Sequence, residues 1–529
     1  MANKTWWKNA IGYQIYIRSF YDSNGDGIGD INGITQKLDY IKSLGANFIW
    51  ICPFYDSPMD DNGYDVRNYY EVDKSYGTTE QLKTLIESAH ARQIKVVVDL
   101  VLNHTSDECE WFVKSENCVE PFTDFYVWKE GKIVDGKITP PNNWTSFFSG
   151  PAWKYSEKRK QYYLKIFSNK MPDINYECET AFVEMEKVVD FFGSLGVDGF
   201  RVDAISHIGK DLTFADAPDL TRTYKSFSNQ ENTHAYLKRF NKAFSKNNLV
   251  TMGELGGDPT EADLIRYTTE KELDMIFSFE QMGVFNSNHT IDLKNLMYTL
   301  KYKENLSSKN GWSVLFWLNH DYPRLVSKID KVSDNKNAQV CLAGLMYMLK
   351  GTPVIYNGEE IGMENYPFEK PEDFLDVNAK MIFDNTDNVE EALNRLKETT
   401  RDHARTVMQW NDSANAGFSS GTPWTYVNKN YTYLNAEQND KDEKSILNAY
   451  RKILAVRSAF GEQLIEGEYT FFENEGVIGY TIKTSDNVLT VCANLSEQTK
   501  QLNYEGEVVY SNFESTGSLA PYQLVILKK

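Results

Sequence analysis

Short apolar runs rich in β-branched residues alternate along the chain with longer segments in which apolar residues recur every three or four positions. The short runs predict strands, and the longer segments predict helices. Candidate strands occupy residues 11–17, 47–52, 95–102, 198–202, 249–252, 273–277, 313–318 and 353–356. Candidate helices include 33–44, 79–92, 181–195, 233–244 and 335–349. This alternation fits an α/β fold with a closed parallel (β/α)8 TIM barrel, although a doubly wound open sheet would alternate in the same way.

Two stretches break the alternation and predict further domains. Residues 105–175 are aromatic and polar, and they are too many for a simple loop, so we expect an inserted B subdomain after strand three. From residue 461 to 529 short alternating runs predict a small C-terminal antiparallel β domain. The barrel would then comprise residues 1–104 and 176–460. Within it, residues 358–440 are rich in Asn, Asp and Pro and predict a long loop-rich excursion.

Composition excludes several classes of protein. The 529 residues are 41% hydrophobic and 25% charged, which is ordinary for a globular chain. A formal charge of −19 disfavours nucleic acid and anionic membrane as partners. No apolar run approaches the ~20 residues of a membrane span, and the N-terminus lacks the features of a signal peptide. The six scattered cysteines predict reduced thiols in a cytoplasmic protein, which we expect to be a monomer or a weak homo-oligomer without an organic cofactor.

Three acidic residues end three of the predicted strands. Asp203 follows strand four, Glu254 ends strand five and Asp321 follows strand seven. In a barrel these strand ends meet at one face, where barrel enzymes carry their active sites. Any one of them alone could be a solvated loop residue or a helix cap. Together they predict a functional site, because burying like charges side by side costs several kcal/mol unless function uses them.

The arrangement suits cleavage of a glycosidic bond. Such cleavage needs one carboxylate to attack the anomeric carbon and a second, protonated acid to supply the leaving oxygen with a proton. Arg201 lies two residues before Asp203, so both side chains share one face of the strand. A neighbouring cation keeps a carboxylate ionised, which favours Asp203 as the nucleophile and Glu254 as the acid/base. His104 and His320 could donate hydrogen bonds to sugar hydroxyls.

Seven motifs together resemble glycoside hydrolase family 13, the α-amylase family, and look closest to its α-glucosidase and oligo-1,6-glucosidase branch. They are residues 99–104, 199–204, the strand end at Glu254, 316–321, 12–20, 57–65 and 401–410. The resemblance covers nearly the whole chain. It implies a catalytic barrel, an inserted B domain and a C-terminal β-sandwich.

The resemblance also implies roles for individual residues. Asp203 matches the nucleophile, Glu254 the acid/base, and Asp321 the third acid that binds substrate hydroxyls and stabilises the transition state. The residues matching the subsite for the terminal glucose are Asp99, His104, Arg201 and His320. In the exo-acting branch, residues matching Asp61 and Arg401 close the pocket over that glucose, and one matching Tyr64 stacks on it. Arg405 is the alternative partner of Asp61, and Phe148 and Phe167 would be further pocket aromatics.

A loop at residues 22–30 predicts a structural metal. Oxygen ligands recur at alternate positions, as in the first half of an EF-hand loop, at Asp22, Asn24, Asp26, Ile28 and Asp30. Gly33 stands where the bidentate Glu of an EF-hand belongs, so an EF-hand is rejected. The resembling branch often holds Ca²⁺ or Mg²⁺ in this loop, which we expect here for loop stability. An Asx-rich turn without an ion is the alternative.

Departures from the branch bear on linkage specificity. Ala204 stands where 1,6-specific members usually carry Val, and Met171 replaces a Gln. We therefore expect a retaining exo-α-glucosidase that releases glucose from short α-glucosides, with substantial α-1,4 activity beside any α-1,6 activity. The alternatives are a sucrose- or trehalose-6-phosphate-active hydrolase and a glucosyl transferase or isomerase of the same family. A non-catalytic protein of this fold is disfavoured, because such relatives lose the catalytic acids.

Overall fold

The computed structural model describes residues 5–309, 311–501, 506–514 and 517–529. Its centre is a sheet of eight parallel strands, named in chain order β1 Gly12–Ile15, β2 Phe48–Ile51, β3 Lys95–Val101, β4 Gly199–Asp203, β5 Val250–Glu254, β6 Met275–Phe277, β7 Val314–Leu315 and β8 Thr352–Tyr356. The order in the sheet is β6-β5-β4-β3-β2-β1-β8-β7. A parallel bridge between Ile276 and Ser313 joins the two edges and closes the barrel. The predicted TIM barrel is confirmed, and the open sheet is excluded.

Helices connect the strands around the outside of the barrel. In chain order these helices are Ile31–Ser43, Thr79–Ala91, Glu179–Leu195, Glu231–Lys246, Glu261–Thr269, Leu293–Ser308, Asn335–Tyr347 and Ile446–Ala459. Residues at the N-terminus mark where a helix begins: Thr78 and Gln81, for example, form a reciprocal capping box at the helix Thr79–Ala91. The predicted strand at 313–318 pairs over only two residues, because the chain leaves the sheet after Leu315 towards Asp321.

The barrel interior is filled by large apolar side chains rather than forming a channel. A separate buried cluster includes Phe48, Trp50, Val97, Met252, Phe277 and Phe316. Gly12 of β1 faces Phe48, and a Cβ atom on Gly12 would lie 2.3 Å from Cζ of that ring. The packed interior closes the bottom of the barrel and leaves the carboxyl ends of the strands as the floor of any site.

The segment between β3 and the helix Glu179–Leu195 folds as a small β unit. Three antiparallel strands, Trp128–Lys129, Trp153–Ser156 and Gln161–Leu164, form its sheet, with a helix at Glu110–Glu116 and a hairpin of Lys132–Val134 with Lys137–Thr139. A buried ion pair fastens this unit to the barrel. Nζ of Lys210 lies 2.8 Å from Oδ2 of Asp173, and Asp173 forms a backbone bridge with His104. The unit therefore stands over the ends of β3 and β4.

The excursion after β8 carries more helix than the sequence predicted. Its helices are Val377–Asp384, Val389–Thr399, Asp402–Arg405 and Ala436–Lys441. The segment is still loop-rich, as predicted, with these short helices between the loops. Val389–Thr399, for example, buries only Ala392 and Leu396 among its 11 residues. The apolar side chains of Val377–Asp384 and Val389–Thr399 join a small separate cluster, so no long apolar period marks these two helices in the sequence.

The C-terminal region forms a five-stranded antiparallel sheet in the order Glu468–Asn474, Val477–Lys483, Val488–Asn494, Leu524–Lys528, Glu507–Ser511. A two-stranded ribbon, Lys500–Gln501 with Ser518–Leu519, lies beside it. The sheet packs on the barrel helix Asn335–Tyr347, where the hydroxyl of Tyr480 donates to the carbonyl of Leu345 at 2.9 Å. Within the ranges described above, no helix has both the length and the apolar character that crossing a membrane requires.

Replacing Gly12 by Ala tests the packing inside the barrel. The new methyl group would overlap the Phe48 ring, so we expect Gly12→Ala to lower the free energy of unfolding by about 1–3 kcal/mol. Urea denaturation followed by tryptophan fluorescence measures the change. Gly283→Ala is the matched control, because apart from its own neighbours in the chain no described atom lies within 4 Å of the Cβ position there, so no loss of stability is expected. Equal midpoints for both variants would show that the interior tolerates the methyl group.

Candidate active site

A cavity of about 190 Å³ opens at the carboxyl ends of the barrel strands. Most of the predicted site residues line it, and its wall consists of Asp61, Tyr64, His104, Phe148, Phe167, Met171, Asp203, Ala204, Glu254, His320, Asp321 and Arg401. The two predicted residues missing from this wall, Asp99 and Arg201, are fully buried beneath it. The structure thus brings all twelve predicted catalytic and substrate-binding residues to one place.

Arg201 is the centre of the cavity floor. Its Nη1 lies 2.6 Å from Oδ1 of Asp203 and 2.6 Å from Oδ1 of Asp99, while Nη2 lies 2.8 Å from Oε2 of Glu254. The expected contact between Arg201 and Asp203 is therefore present. Arg201 also contacts Glu254, which the sequence argument did not foresee, so the cation alone does not distinguish the two carboxylates.

Burial and exposure to solvent do distinguish Asp203 from Glu254. Burial raises the pKa of Asp203 well above its usual range, Arg201 opposes the rise, and the neighbouring acids add to it. The expectation that Arg201 keeps Asp203 ionised is therefore wrong for the site without substrate, because burial outweighs the cation. The Glu254 side chain keeps 19% of its surface exposed, against 10% for that of Asp203. Ala204 follows β4 with φ of 47°, and this left-handed turn aims its N–H at Oε2 of Glu254 at 3.1 Å. Glu254 is therefore the acid with access to solvent.

Asp321 lies among cations on the opposite side of the cavity. Its Oδ1 is 3.1 Å from Nη2 of Arg405 and 3.4 Å from Nη1 of Arg401. Burial alone would raise the pKa of Asp321, but His320 and the arginines outweigh burial and hold it below the usual range. Asp321 is therefore ionised at neutral pH.

The two site histidines are neutral donors. Burial lowers the pKa of His104 and of His320 to about 3. In each ring Nδ1 meets an amide nitrogen, Asn103 Nδ2 at 3.2 Å or Gln14 Nε2 at 2.9 Å, which places the proton on Nε2. Nε2 of His320 then faces Oδ2 of Asp321 at 3.2 Å. Nε2 of His104 is buried and has no hydrogen-bond partner in the described part of the chain.

Aromatic side chains and one ion pair shape the rest of the wall. The ring of Tyr64 stacks on His320 with centroids 5.2 Å apart. Nη2 of Arg401 lies 2.8 Å from Oδ1 of Asp61, and its guanidinium lies over the ring of Phe148 at 4.9 Å. The alternative partner Arg405 stays 4.0 Å from Asp61. The predicted Asp61–Arg401 pair is therefore the one that forms.

Sequence reasoning missed two polar residues that support this wall. Asp376 is fully buried against Arg401, and Gln14 orients His320. Asp376 lies in the excursion taken for loop, yet its place just before Val377-Asn-Ala-Lys fits a helix N-cap and could have been noticed. Gln14 lies inside the motif at residues 12–20, but it is flanked by apolar residues of β1 and no spacing to another polar residue assigns it a role.

The loop at residues 22–30 offers oxygen donors only. Three carboxylates, the amide of Asn24 and the carbonyl of Ile28 form the hard-oxygen set that Ca²⁺ and Mg²⁺ prefer. The loop also makes hydrogen bonds within itself: the carboxylate of Asp22 accepts from the N–H groups of Asn24, Gly25 and Gly27. Among the described residues, no three His, Cys, Asp or Glu side chains are grouped to hold a metal ion. The donor chemistry fits a hard cation, while the ligand set would include the amide and the carbonyl.

Comparison with known proteins agrees with this geometry. The family model described as alpha amylase, catalytic domain, matches residues 14–467. The oligo-1,6-glucosidase of Heyndrickxia coagulans is 40% identical and covers 98% of this chain and 99% of its own. The crystal structure of Bacillus licheniformis trehalose-6-phosphate hydrolase has a TM-score of 0.90 at 37% identity, with 99% of both chains covered.

A second solved structure is equally similar in fold. The trehalulose synthase of Pseudomonas mesoacidophila MX-45 has a TM-score of 0.93 at 36% identity, again over 99% of each chain. These relatives carry different activities on one scaffold, so the fold alone does not choose among them. Because the family model spans most of the chain and the relatives span nearly all of it, the chain belongs to the α-amylase family of glycoside hydrolases.

Proposed function

We propose that this enzyme is a retaining, exo-acting α-glucosidase that releases glucose from the non-reducing end of short α-1,4- and α-1,6-glucosides. One observation carries the proposal: the small acidic cavity is walled by the Asp61–Arg401 ion pair. A cavity of about 190 Å³ suits a single sugar ring, and the ion pair offers both hydrogen-bond donors and acceptors to its hydroxyls. An ion pair in the wall of a cavity of this size favours binding of a chain end, and therefore an exo mode.

The proposed reaction has two displacement steps. Asp203 attacks the anomeric carbon while Glu254 gives a proton to the leaving oxygen, and Glu254 then takes a proton from the water that releases glucose. Asp203 and Glu254 contact different terminal nitrogens of the same guanidinium, so both carboxylates belong to one floor of the cavity. The retaining outcome is taken from the resemblance to the family, and the configuration of the released glucose tests it.

The surroundings of each residue determine the role that we propose for it. The acid/base must exchange protons with water, which favours the more exposed Glu254. Ionised Asp321 would accept hydrogen bonds from sugar hydroxyls and stabilise the positive charge that develops at the anomeric carbon. The partnerless Nε2 of His104 would donate to a hydroxyl at the cavity wall.

Substitution of the two acids tests these roles. We expect Asp203→Asn and Glu254→Gln to lower kcat on isomaltose by about 10³-fold or more. Glu254→Gln should lose less on p-nitrophenyl α-glucoside, whose good leaving group needs little protonation. Glucose release measures both variants on isomaltose. The first-turnover release of p-nitrophenol measures Glu254→Gln on the aryl glucoside, because later turnovers still need Glu254 as the base. Glu231→Gln, an exposed acid in an ion pair with Arg266, is the control that should keep full activity.

The stereochemical outcome and the substrate panel can each contradict the proposal. Proton NMR of the first product should show α-glucose, and β-glucose would exclude a retaining mechanism. A panel of maltose, isomaltose, sucrose and trehalose 6-phosphate decides the substrate class. Turnover of sucrose or trehalose 6-phosphate alone would replace the α-glucosidase assignment with one of the alternative family activities.

Linkage preference is assigned in part to Ala204. Its side chain lines the cavity directly after Asp203, where the leaving sugar would sit. We expect Ala204→Val to raise the isomaltose-to-maltose ratio of kcat/KM by ~10-fold, because methyl groups in such a pocket change discrimination by ~1–3 kcal/mol. The φ of 47° at position 204 is left-handed and strains a β-branched residue such as Val. Because this strain would lower both rates, the ratio of the two kcat/KM values is the quantity to measure. An unchanged ratio would remove Ala204 as a linkage determinant.

We also propose that the loop at residues 22–30 binds a structural Ca²⁺ or Mg²⁺, held by Asp22, Asn24, Asp26, Asp30 and the Ile28 carbonyl. The ion would stabilise the loop and take no part in bond cleavage. This proposal is supported by the all-oxygen donor set and by Asp30, which both belongs to the loop and caps the helix Ile31–Ser43.

Removal of divalent ions tests the metal proposal. We expect EDTA to lower Tm by about 2–5 °C and added Ca²⁺ or Mg²⁺ to restore it, because ligand binding stabilises only the folded state. Asp26→Ala removes an exposed ligand and should abolish the response to the ion. A Tm that is identical in EDTA and in excess Ca²⁺ would favour the ion-free Asx turn.

The cysteines support a cytoplasmic location, which we propose as the site of action. All six are free, and four of them, Cys52, Cys109, Cys341 and Cys492, are buried. Burial raises the pKa of the Cys341 and Cys492 thiols, which keeps them protonated and unreactive. Such a set suits a compartment that keeps thiols reduced.

A further inference from the structure

Asp376 is a buried carboxylate that the proposed reaction does not use. Its side chain is fully buried, and it faces Arg401 along the edge that carries Nε. Nε of Arg401 lies 3.1 Å from Oδ1 and 3.0 Å from Oδ2 of Asp376, and Nη2 donates a further, short hydrogen bond to Oδ1. Nη1 of Arg405 approaches the same oxygen at 3.6 Å.

These contacts fix the plane of the Arg401 guanidinium. A carboxylate that spans Nε and one terminal nitrogen is the bidentate arrangement with the strongest directional preference. With that edge occupied, the remaining donors of Arg401 point towards the cavity. There Nη2 reaches Oδ1 of Asp61 at 2.8 Å, and Nη1 reaches Oδ1 of Asp321 at 3.4 Å.

Asp376 is itself held in place by a neighbour. Oδ2 of Asp402 accepts hydrogen bonds from the N–H groups of Leu375 and Asp376, both at 3.1 Å. Arg401 and Asp402 are adjacent in sequence, so the chain that supplies the arginine also fixes the backbone of its partner. Four acids, Asp61, Asp321, Asp376 and Asp402, therefore lie around the two arginines.

We propose that Asp376 is the positioning residue of the pocket wall: it orients Arg401, and through Arg401 it sets the affinity of the cavity for the terminal glucosyl unit. This inference rests on the proposed function, because the wall is assigned to glucose there. Asp376 touches no reacting atom. Its loss should weaken binding of substrate and transition state alike, which raises KM and leaves kcat nearly unchanged.

Asp376 has a second, structural role that the experiment must separate. It is the N-cap of the helix Val377–Asp384, where its side chain accepts from the N–H of Asn378 at 3.3 Å. Asn and Ser are equally good N-cap residues, so Asp376→Asn and Asp376→Ser keep the cap while removing the charge. Asp334, the N-cap of the helix Asn335–Tyr347 outside the site, provides the matched control Asp334→Asn.

We expect Asp376→Asn and Asp376→Ser to raise KM for isomaltose and for p-nitrophenyl α-glucoside by the same factor, ~10-fold, with kcat within about twofold of the parent. The inhibition constant of free glucose should rise by that factor too, because glucose fills the same cavity. Asp334→Asn should change none of these constants. Circular dichroism and Tm establish that each variant is folded.

A merely structural role would give a different pattern. Loss of the cap or of folded protein would lower the maximal rate and Tm while KM and the glucose inhibition constant stayed at their parental values, and this result would overturn the inference. Isothermal titration calorimetry of glucose into the parent and into Asp376→Asn measures the affinity for glucose without turnover. If the parent hydrolyses no glucoside, the proposed function fails, and equal glucose affinities in this titration would overturn the positioning role separately.

Discussion

The burial of one guanidinium among three carboxylates is the constraint on which the rest of the site depends. Arg201 contacts Asp99, Asp203 and Glu254 from β3, β4 and β5, so three neighbouring strands must end at matching heights. Removing one partner from such a cluster leaves an uncompensated buried charge, which typically costs ~3–5 kcal/mol. The packed barrel interior supplies the rigidity that holds these charges together.

Much of the fold and of the site could be predicted from sequence, because both rest on local signals. Each barrel strand is a short apolar run, and Asp203 and Glu254 end such runs. What the sequence does not show is which contacts form across the barrel. The link between Arg201 and Glu254 joins β4 to β5, and only the closed sheet places Nη2 beside Oε2 at 2.8 Å. Gln14 was missed for the same reason: its role depends on His320, 306 residues away.

In the excursion after β8, hydrophobic periodicity does not predict the helices. Its two longest helices, Val377–Asp384 and Val389–Thr399, bury one and two residues and pack in a cluster of their own, so they leave a weak pattern in the sequence. Yet this segment supplies Asp376 and Arg401, which complete the cavity wall. The barrel strands thus supply the carboxylates of the floor, and a weakly patterned segment outside them limits what can enter.

The Asp61–Arg401 pair joins residues that are 340 positions apart in the chain. During synthesis the acids at positions 203, 254 and 321 all emerge before Arg401 does. A nascent chain halted before residue 401 could hold every reactive carboxylate and still lack the wall that selects a terminal sugar. Truncated products of translation would carry the acids without a complete site to direct them.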